Sequence, residues 1–302
     1  MSTEFKLTSP CDGLELACLC TEPEGEPKGV VQIAHGMCEH KERYTAFMEF
    51  LSENGYAAVI NDHRGHGASV RSVRDLGYLY KDGWLSMVRD TRAVTQWARD
   101  RWPGKPLTLL GHSMGSMVVR SYAKRWDECI DALIVSGCPS DNPAKGAGKA
   151  LAALDSLLCG PHHRPQLLQA MSVGAYNKDF KSEGRDCAWV CSDPEVQKAY
   201  DADPLCGYVF TANGFYNLMG LMQDCYGARG WKVANPDLPV TFLSGALDPC
   251  RTSDEALEKA AALMRGAGYN SVSTKLYPGM RHEILNEKGK LTVWNDVLHT
   301  LA

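Results

Sequence analysis

The sequence has no run of about twenty apolar residues, so no segment of it reads as a helix spanning a bilayer. It also lacks any cluster of Lys and Arg. Its 32 basic and 36 acidic residues leave a formal net charge of -4, which offers no footprint for a phosphate backbone or an anionic membrane. Nucleic acid is therefore not an expected partner. The opening residues through Asp12 carry neither a basic n-region nor an apolar h-region, and no signal peptide is expected. The twelve cysteines form no C-x-x-C pair and have no cysteine–histidine spacing suited to zinc. They read as reduced thiols in a cytoplasmic protein, with no metal expected. Cys18 with Cys20 and Cys187 with Cys191 are the only close pairs, and an alternating strand or a helix explains them. No internal repeat or low-complexity tract is present.

What is there is an ordinary globular composition, 44% hydrophobic and 23% charged, which excludes extensive disorder. A chain of 302 residues can form one large α/β domain with an insertion, or two domains. Short β-rich runs alternate with longer amphipathic segments, the pattern of a mostly parallel sheet covered by helices. Residues 5–8 and 14–20 flank Pro10-Cys11-Asp12-Gly13 and read as an edge hairpin. Six more strands are expected at 30–34, 57–61, 107–110, 132–136, 240–244 and 272–277, making eight. Leu85, Val88, Val94, Trp97 and Ala98 recur at helical spacing before Pro103. Thr252 with Glu255 has capping-box spacing, and Gly266 or Gly268 can close the helix that follows. Leu291, Trp294, Leu298 and Leu301 predict a C-terminal helix packed on the sheet.

From about Pro139 to Pro239 the rhythm breaks and no strand is expected. Residues 1–138 and 237–302 read as the sheet domain, and 139–236 as a unit inserted after the sixth strand. Leu151, Leu154, Leu157 and Leu158, then Phe215, Leu218, Met219 and Met222, give the insertion apolar faces. These faces either pack on the main domain or line an acyl pocket.

The fifth expected strand runs into Gly111-His112-Ser113-Met114-Gly115, and Val118, Val119, Tyr122 and Trp126 continue at helical spacing. Strand, G-x-S-x-G, helix is the nucleophile elbow, in which a serine on a tight turn takes strained backbone angles. A serine hydroxyl needs a base to remove its proton, and the base needs an acid to hold its tautomer. Both should follow later strands, because loops at the carboxyl ends of parallel strands face the site. The seventh strand leads to Asp248 and the eighth to His282. The order Ser113, Asp248, His282 is that of the α/β-hydrolase fold. Taken singly, Asp248 before Pro249 also suits a turn or cap, and His282 a surface loop. Asp62, Asp141 and Glu283 are the rival acids. An oxyanion needs two backbone donors, assigned here to Met114 N–H after the serine and Met37 N–H in the loop after the third strand.

Three segments carry a resemblance: His35-Gly36 followed by Glu39-His40, the run Asp62-His63-Arg64-Gly65-His66-Gly67-Ala68-Ser69, and the elbow 111–115. Together they resemble the monoacylglycerol lipase and lysophospholipase group of α/β-hydrolases, including its bacterial members. The second segment is the most specific, being similar to the D-H-x-G-H-G-x-S run of monoacylglycerol lipases. The resemblance implies that residues 139–236 form a cap over the site, and that the substrate is a lipid with one acyl chain. Met37-Cys38 departs from the small residues usual in the animal lipases, which puts bulk beside the acyl carbonyl. Epoxide hydrolase and dehalogenase relatives use aspartate where Ser113 stands, so their chemistry is not expected.

The expected protein is thus a serine carboxylic-ester hydrolase working through an acyl-enzyme, with no cofactor and no metal. Its partners are a small ester or lipid substrate and at most a transient, apolar membrane-surface contact, and a homodimer is compatible with the sequence. Two alternatives stay open. A proline aminopeptidase would need cap carboxylates for the substrate's ammonium, and Glu183, Asp186, Asp193, Glu195 or Asp224 could supply them. A non-catalytic binding protein would retain the scaffold without turnover.

Overall fold

The computed structural model describes residues 2–301. Among these residues eight strands form one sheet: β1 (Ser2–Thr8), β2 (Glu15–Thr21), β3 (Val30–Ala34), β4 (Ala57–Asn61), β5 (Leu107–His112), β6 (Ala132–Ser136), β7 (Val240–Gly245) and β8 (Val272–Tyr277). Their spatial order is β1-β2-β4-β3-β5-β6-β7-β8. β1 pairs antiparallel with β2 and β2 antiparallel with β4, and every later pair is parallel. All eight expected strands are present. The edge hairpin closes through Ser9 N–H to Leu14 O and Gly13 N–H to Ser9 O.

Among the described residues nine α-helices surround the sheet: α1 (Thr45–Glu53), α2 (Gly83–Arg101), α3 (Met114–Trp126), α4 (Lys145–Cys159), α5 (Gln166–Ser172), α6 (Pro194–Ala202), α7 (Ala212–Cys225), α8 (Asp254–Ala267) and α9 (Lys290–Thr300). Successive residues of a strand point to opposite faces, so a continuous apolar run serves two cores. Val30, Leu109 and Val135 pack with Val88 and Val94 of α2, Val118 and Tyr122 of α3, and Leu257 of α8. Their neighbours Val31, Leu110 and Ile134 pack on the other face with Phe47 and Leu51 of α1 and Trp294 of α9. Both faces are covered, as a parallel sheet requires.

Two helix details differ from the sequence expectation. The α8 cap is Ser253, whose hydroxyl accepts from Ala256 N–H at 3.2 Å, while Thr252 takes a left-handed φ of 57° in the turn before it. The capping spacing therefore lies one residue further on, and Gly268 closes the helix as expected. In α9 the buried face is Val293, Trp294 and Val297, and Leu291 is exposed.

Among the described residues the chain between β6 and β7 holds α4 to α7 and no strand. α7 lies deepest, packed on α3 and α2, with Phe215, Leu218, Met219 and Met222 buried. α4 meets α7 through its small residues Gly148 and Ala152. That choice of contact face turns its leucines outward. Leu151, Leu154, Leu157 and Leu158 are 41%, 50%, 81% and 73% exposed, so they neither pack on the sheet domain nor line the cavity. Leu167 and Met171 of α5 are exposed as well.

Candidate active site

Ser113 stands between β5 and α3 with φ 54° and ψ -118°, a region that costs a non-glycine residue about 1–3 kcal/mol and persists only where surroundings enforce it. Here its N–H donates to Ser136 O of β6 at 2.9 Å, and its carbonyl accepts from Ser116 N–H at 2.9 Å and Ser116 Oγ at 2.6 Å. The start of α3 lies almost on β3. A Cβ on Gly115 would sit 2.0 Å from Ala34 O and 2.5 Å from His35 O, and one on Gly111 would sit 2.4 Å from Gly115 O. Glycine at both places is a packing requirement of the elbow.

Asp248 and His282 come together from the loops after β7 and β8. His282 Nδ1–H faces both Asp248 oxygens at 3.0 Å, and both side chains are buried. The carboxylate also accepts from Ser244 Oγ at 3.3 Å and from Cys250 N–H at 2.9 Å. Asp248 is therefore also the cap of a short turn, so that reading of the residue holds alongside its contact with His282. Burial works against both charges. The pair outweighs it: Asp248 lies below the usual carboxylate range because of the imidazole, and His282 lies well above 6.5 because of the carboxylate. The rival acids are engaged elsewhere. Asp62 accepts from Lys41 N–H and Ala68 N–H at 2.8 Å each. Asp141 pairs with Lys145, and Glu283 with Arg43.

Ser113 and His282 line one cavity, but among the described residues no hydrogen bond joins the Ser113 hydroxyl to the ring. Nε2 has the Cys250 thiol at 4.0 Å. Catalytic hydrogen bonds are often long in unliganded enzymes and tighten with substrate. Three neighbours of the imidazole were not singled out from the sequence: Cys250, His112 with its ring 4.7 Å away, and Trp189 of the insertion at 5.1 Å. His112 precedes Ser113 in the motif and signals itself there. Trp189 carries no local signal.

The loop after β3 reaches the serine because Gly36 has no side chain, as a Cβ there would lie 3.2 Å from Ser113 Cβ and 2.6 Å from Glu39 Oε1. Gly36 N–H donates to Glu39 Oε1 at 2.5 Å. Arg43 donates to Glu39 at 2.8 Å and, in a fork, to Glu283 at 2.5 and 2.6 Å, so one guanidinium ties this loop to the residue after His282. Met37 and Met114 both line the cavity. Met114 is the first residue of α3, and its N–H has no acceptor inside the helix. The cavity measures about 370 Å³, and Met117, Leu218, Met219 and Met222 make one wall apolar.

Of the carboxylates considered for an ammonium group, Asp224 is paired with Arg125, Glu183 with Arg281, and Asp193 caps α6. Glu195 lies exposed in the first turn of α6. Asp186 alone of the five lines the cavity.

The family described as serine aminopeptidase S33, a hydrolase family, matches residues 25–289. A monoacylglycerol lipase of Mycolicibacterium smegmatis is 30% identical over 279 residues, 91% of this chain and 88% of that protein. Human monoglyceride lipase is 27% identical over 294 residues, 96% and 86% of the two chains. Among solved structures, a thermostable carboxyl esterase from Bacillus coagulans superposes with a TM-score of 0.89 at 22% identity, covering 100% of this chain and 99% of its own. A soluble variant of monoglyceride lipase from Saccharomyces cerevisiae gives 0.73 at 20% identity, covering 99% and 94%. These likenesses establish the α/β-hydrolase fold.

Proposed function

Because the chain belongs to the serine aminopeptidase S33 family of hydrolases, we propose that it is a serine ester hydrolase acting on monoacylglycerols or lysophospholipids, with Ser113, Asp248 and His282 as its triad. The observation that carries this reading is the buried Asp248–His282 pair, whose imidazole lines the cavity that also holds the strained Ser113. With His282 in its neutral form, Ser113 Oγ attacks the ester carbonyl while His282 Nε2 takes its proton. His282 then returns that proton to the leaving alcohol, and Asp248 holds the Nδ1–H tautomer and stabilises the imidazolium. The amides of Met37 and Met114 hold the oxyanion. Water repeats the attack on the acyl-enzyme, again with His282 as base.

The relatives' substrates favour a single-chain lipid, and the wall formed by Leu218, Met219 and Met222 suits an acyl chain. We take residues 139–236 as the cap, whose outward leucines on α4 with Leu167 and Met171 of α5 form an apolar face for transient contact with a lipid surface. The free state of all twelve cysteines favours a reducing compartment such as the cytoplasm.

The second reading is an aminopeptidase, favoured by the family's description and by Asp186 at the cavity. Hydrolysis rates across a monoacylglycerol, a lysophospholipid, a short p-nitrophenyl ester and a proline arylamide decide between them. Turnover of a single-chain lipid at least ten times faster than of the arylamide is expected, and the reverse order would replace the ester reading.

A further inference from the structure

His40 stands in the Glu39-His40 pair of the loop after β3, yet the proposed reaction makes no use of it. Its ring is buried where that loop meets the chain after α6. Nδ1 lies 2.5 Å from Glu42 Oε2 and Nε2 lies 2.7 Å from Asp203 Oδ2. Cys206 brings its thiol to the same place. One donor atom from each of His40, Asp203 and Cys206 lies within 4.8 Å of the other two.

A nitrogen, a carboxylate oxygen and a thiol sulfur make a donor set for a zinc-class ion. Donors around tetrahedral zinc stand about 3.3–3.8 Å apart at its usual bond lengths, so this set needs to adjust by about an ångström at most. Glu42 supplies what a metal-bound imidazole normally has, a carboxylate accepting from its other ring nitrogen. The thiol is also placed by main chain. Gly207 N–H donates to Cys38 O at 3.0 Å, and Cys38 Sγ donates to Tyr208 O at 2.8 Å, which ties the residues beside Cys206 to the loop that carries His40.

We infer that His40 Nε2, Asp203 and Cys206 form a binding site for a divalent ion of the zinc class, with Glu42 behind the imidazole and water as the fourth ligand, joining the loop after β3 to the cap. Cys206 binds as thiolate through its sulfur lone pair and releases its proton to solvent. The imidazole gives up its Nε2 proton to solvent and keeps its Nδ1–H on Glu42.

The test uses the full chain, freed of metal with a chelator and carrying Cys159→Ser and Cys250→Ser, which remove the thiols of the exposed cluster Asp155, Cys159 and His163 and of the buried cluster Asp248, Cys250 and His282. Titration with Cd²⁺ and Co²⁺ in mildly alkaline buffer should give one equivalent with a thiolate-to-metal charge-transfer band. Adding Cys206→Ser should abolish the band, and Glu42→Gln should weaken binding about 10- to 100-fold, both with unchanged circular dichroism. Asp203→Asn serves as a second ligand variant and should also weaken binding. A band that survives Cys206→Ser at full intensity, or no thiolate band in the protein carrying Cys159→Ser and Cys250→Ser, would overturn the assignment.

Discussion

An alanine at position 115 puts a methyl carbon where the Ala34 carbonyl already stands. The ideal Cβ lies 2.0 Å from Ala34 O and 2.5 Å from His35 O, whereas real Cβ contacts begin near 3.0 Å. Both obstacles are main chain and cannot rotate aside, so the first turn of α3 must retreat by about 1 Å. At an open helix position the same change gains about 1 kcal/mol in helix propensity. Overpacking against a fixed backbone costs about 1–3 kcal/mol, so the net is a stability loss of up to about 2 kcal/mol. The larger consequence is chemical. Ser113 and the Met114 amide ride on this turn, and a displacement of about 1 Å at a reacting group costs on the order of 100-fold in rate. The assay is kcat on a soluble p-nitrophenyl ester beside a thermal melt of the same sample. A Gly115→Ala protein with kcat within about two-fold of the parent and an unmoved melt would refute the packing argument.

Other perturbations probe the triad, the buried histidines and the outward leucines separately. Asp248→Asn leaves the fold intact and lowers kcat by about 10⁴-fold, because the wrong tautomer then faces Ser113; a near-normal rate would transfer the role to another acid. His63, His66 and His112 are held neutral chiefly by burial, at about 3, 4 and 3. An unfolded chain takes up these protons below about 6.5 and the folded one does not, so their stabilisation is present above that pH and is lost as pH falls toward 4. The slope is about 1.4 kcal/mol per pH unit for each group, or roughly 4 kcal/mol per unit for three. Urea unfolding at pH 7, 6 and 5 measures it, and a flat profile contradicts it. Replacing Leu154, Leu157 and Leu158 by serine should slow hydrolysis of vesicle-borne monoacylglycerol by at least about ten-fold, since each leucine lost from a lipid contact removes about 1.5–3 kcal/mol at full burial. The rate on a soluble acetate ester should hold, and equal rates on vesicles would remove the lipid-contact role.

The sheet was legible because its strands announce themselves: runs such as 30–34 and 132–136 are apolar but for Gln32 and Ser136, bounded by turns, and buried on both faces. Ser113 was marked by its elbow motif, and Asp248 and His282 by the ends of the two later strands, since a parallel sheet delivers its carboxyl-end loops to one side. Other features depend on packing that local pattern does not carry. The α4 leucines have helical spacing, yet small Gly148 and Ala152 face α7 and reverse the expected burial. Trp189 meets His282 from 93 residues earlier in the chain, with nothing in its neighbours to mark it. Cys206 and His40 are likewise far apart in sequence, so a search for cysteine–histidine spacing passes over the cluster that the fold assembles.

In the proposed mechanism Ser113 is a nucleophile activated by His282, although no hydrogen bond joins the two side chains in the structure. A fluorophosphonate probe followed by mass spectrometry of the modified peptide tests it directly. One adduct on Ser113 is expected, absent in Ser113→Ala and at least 100-fold slower to form in His282→Ala. An adduct on any other residue, or undiminished labelling of Ser113→Ala, would contradict it.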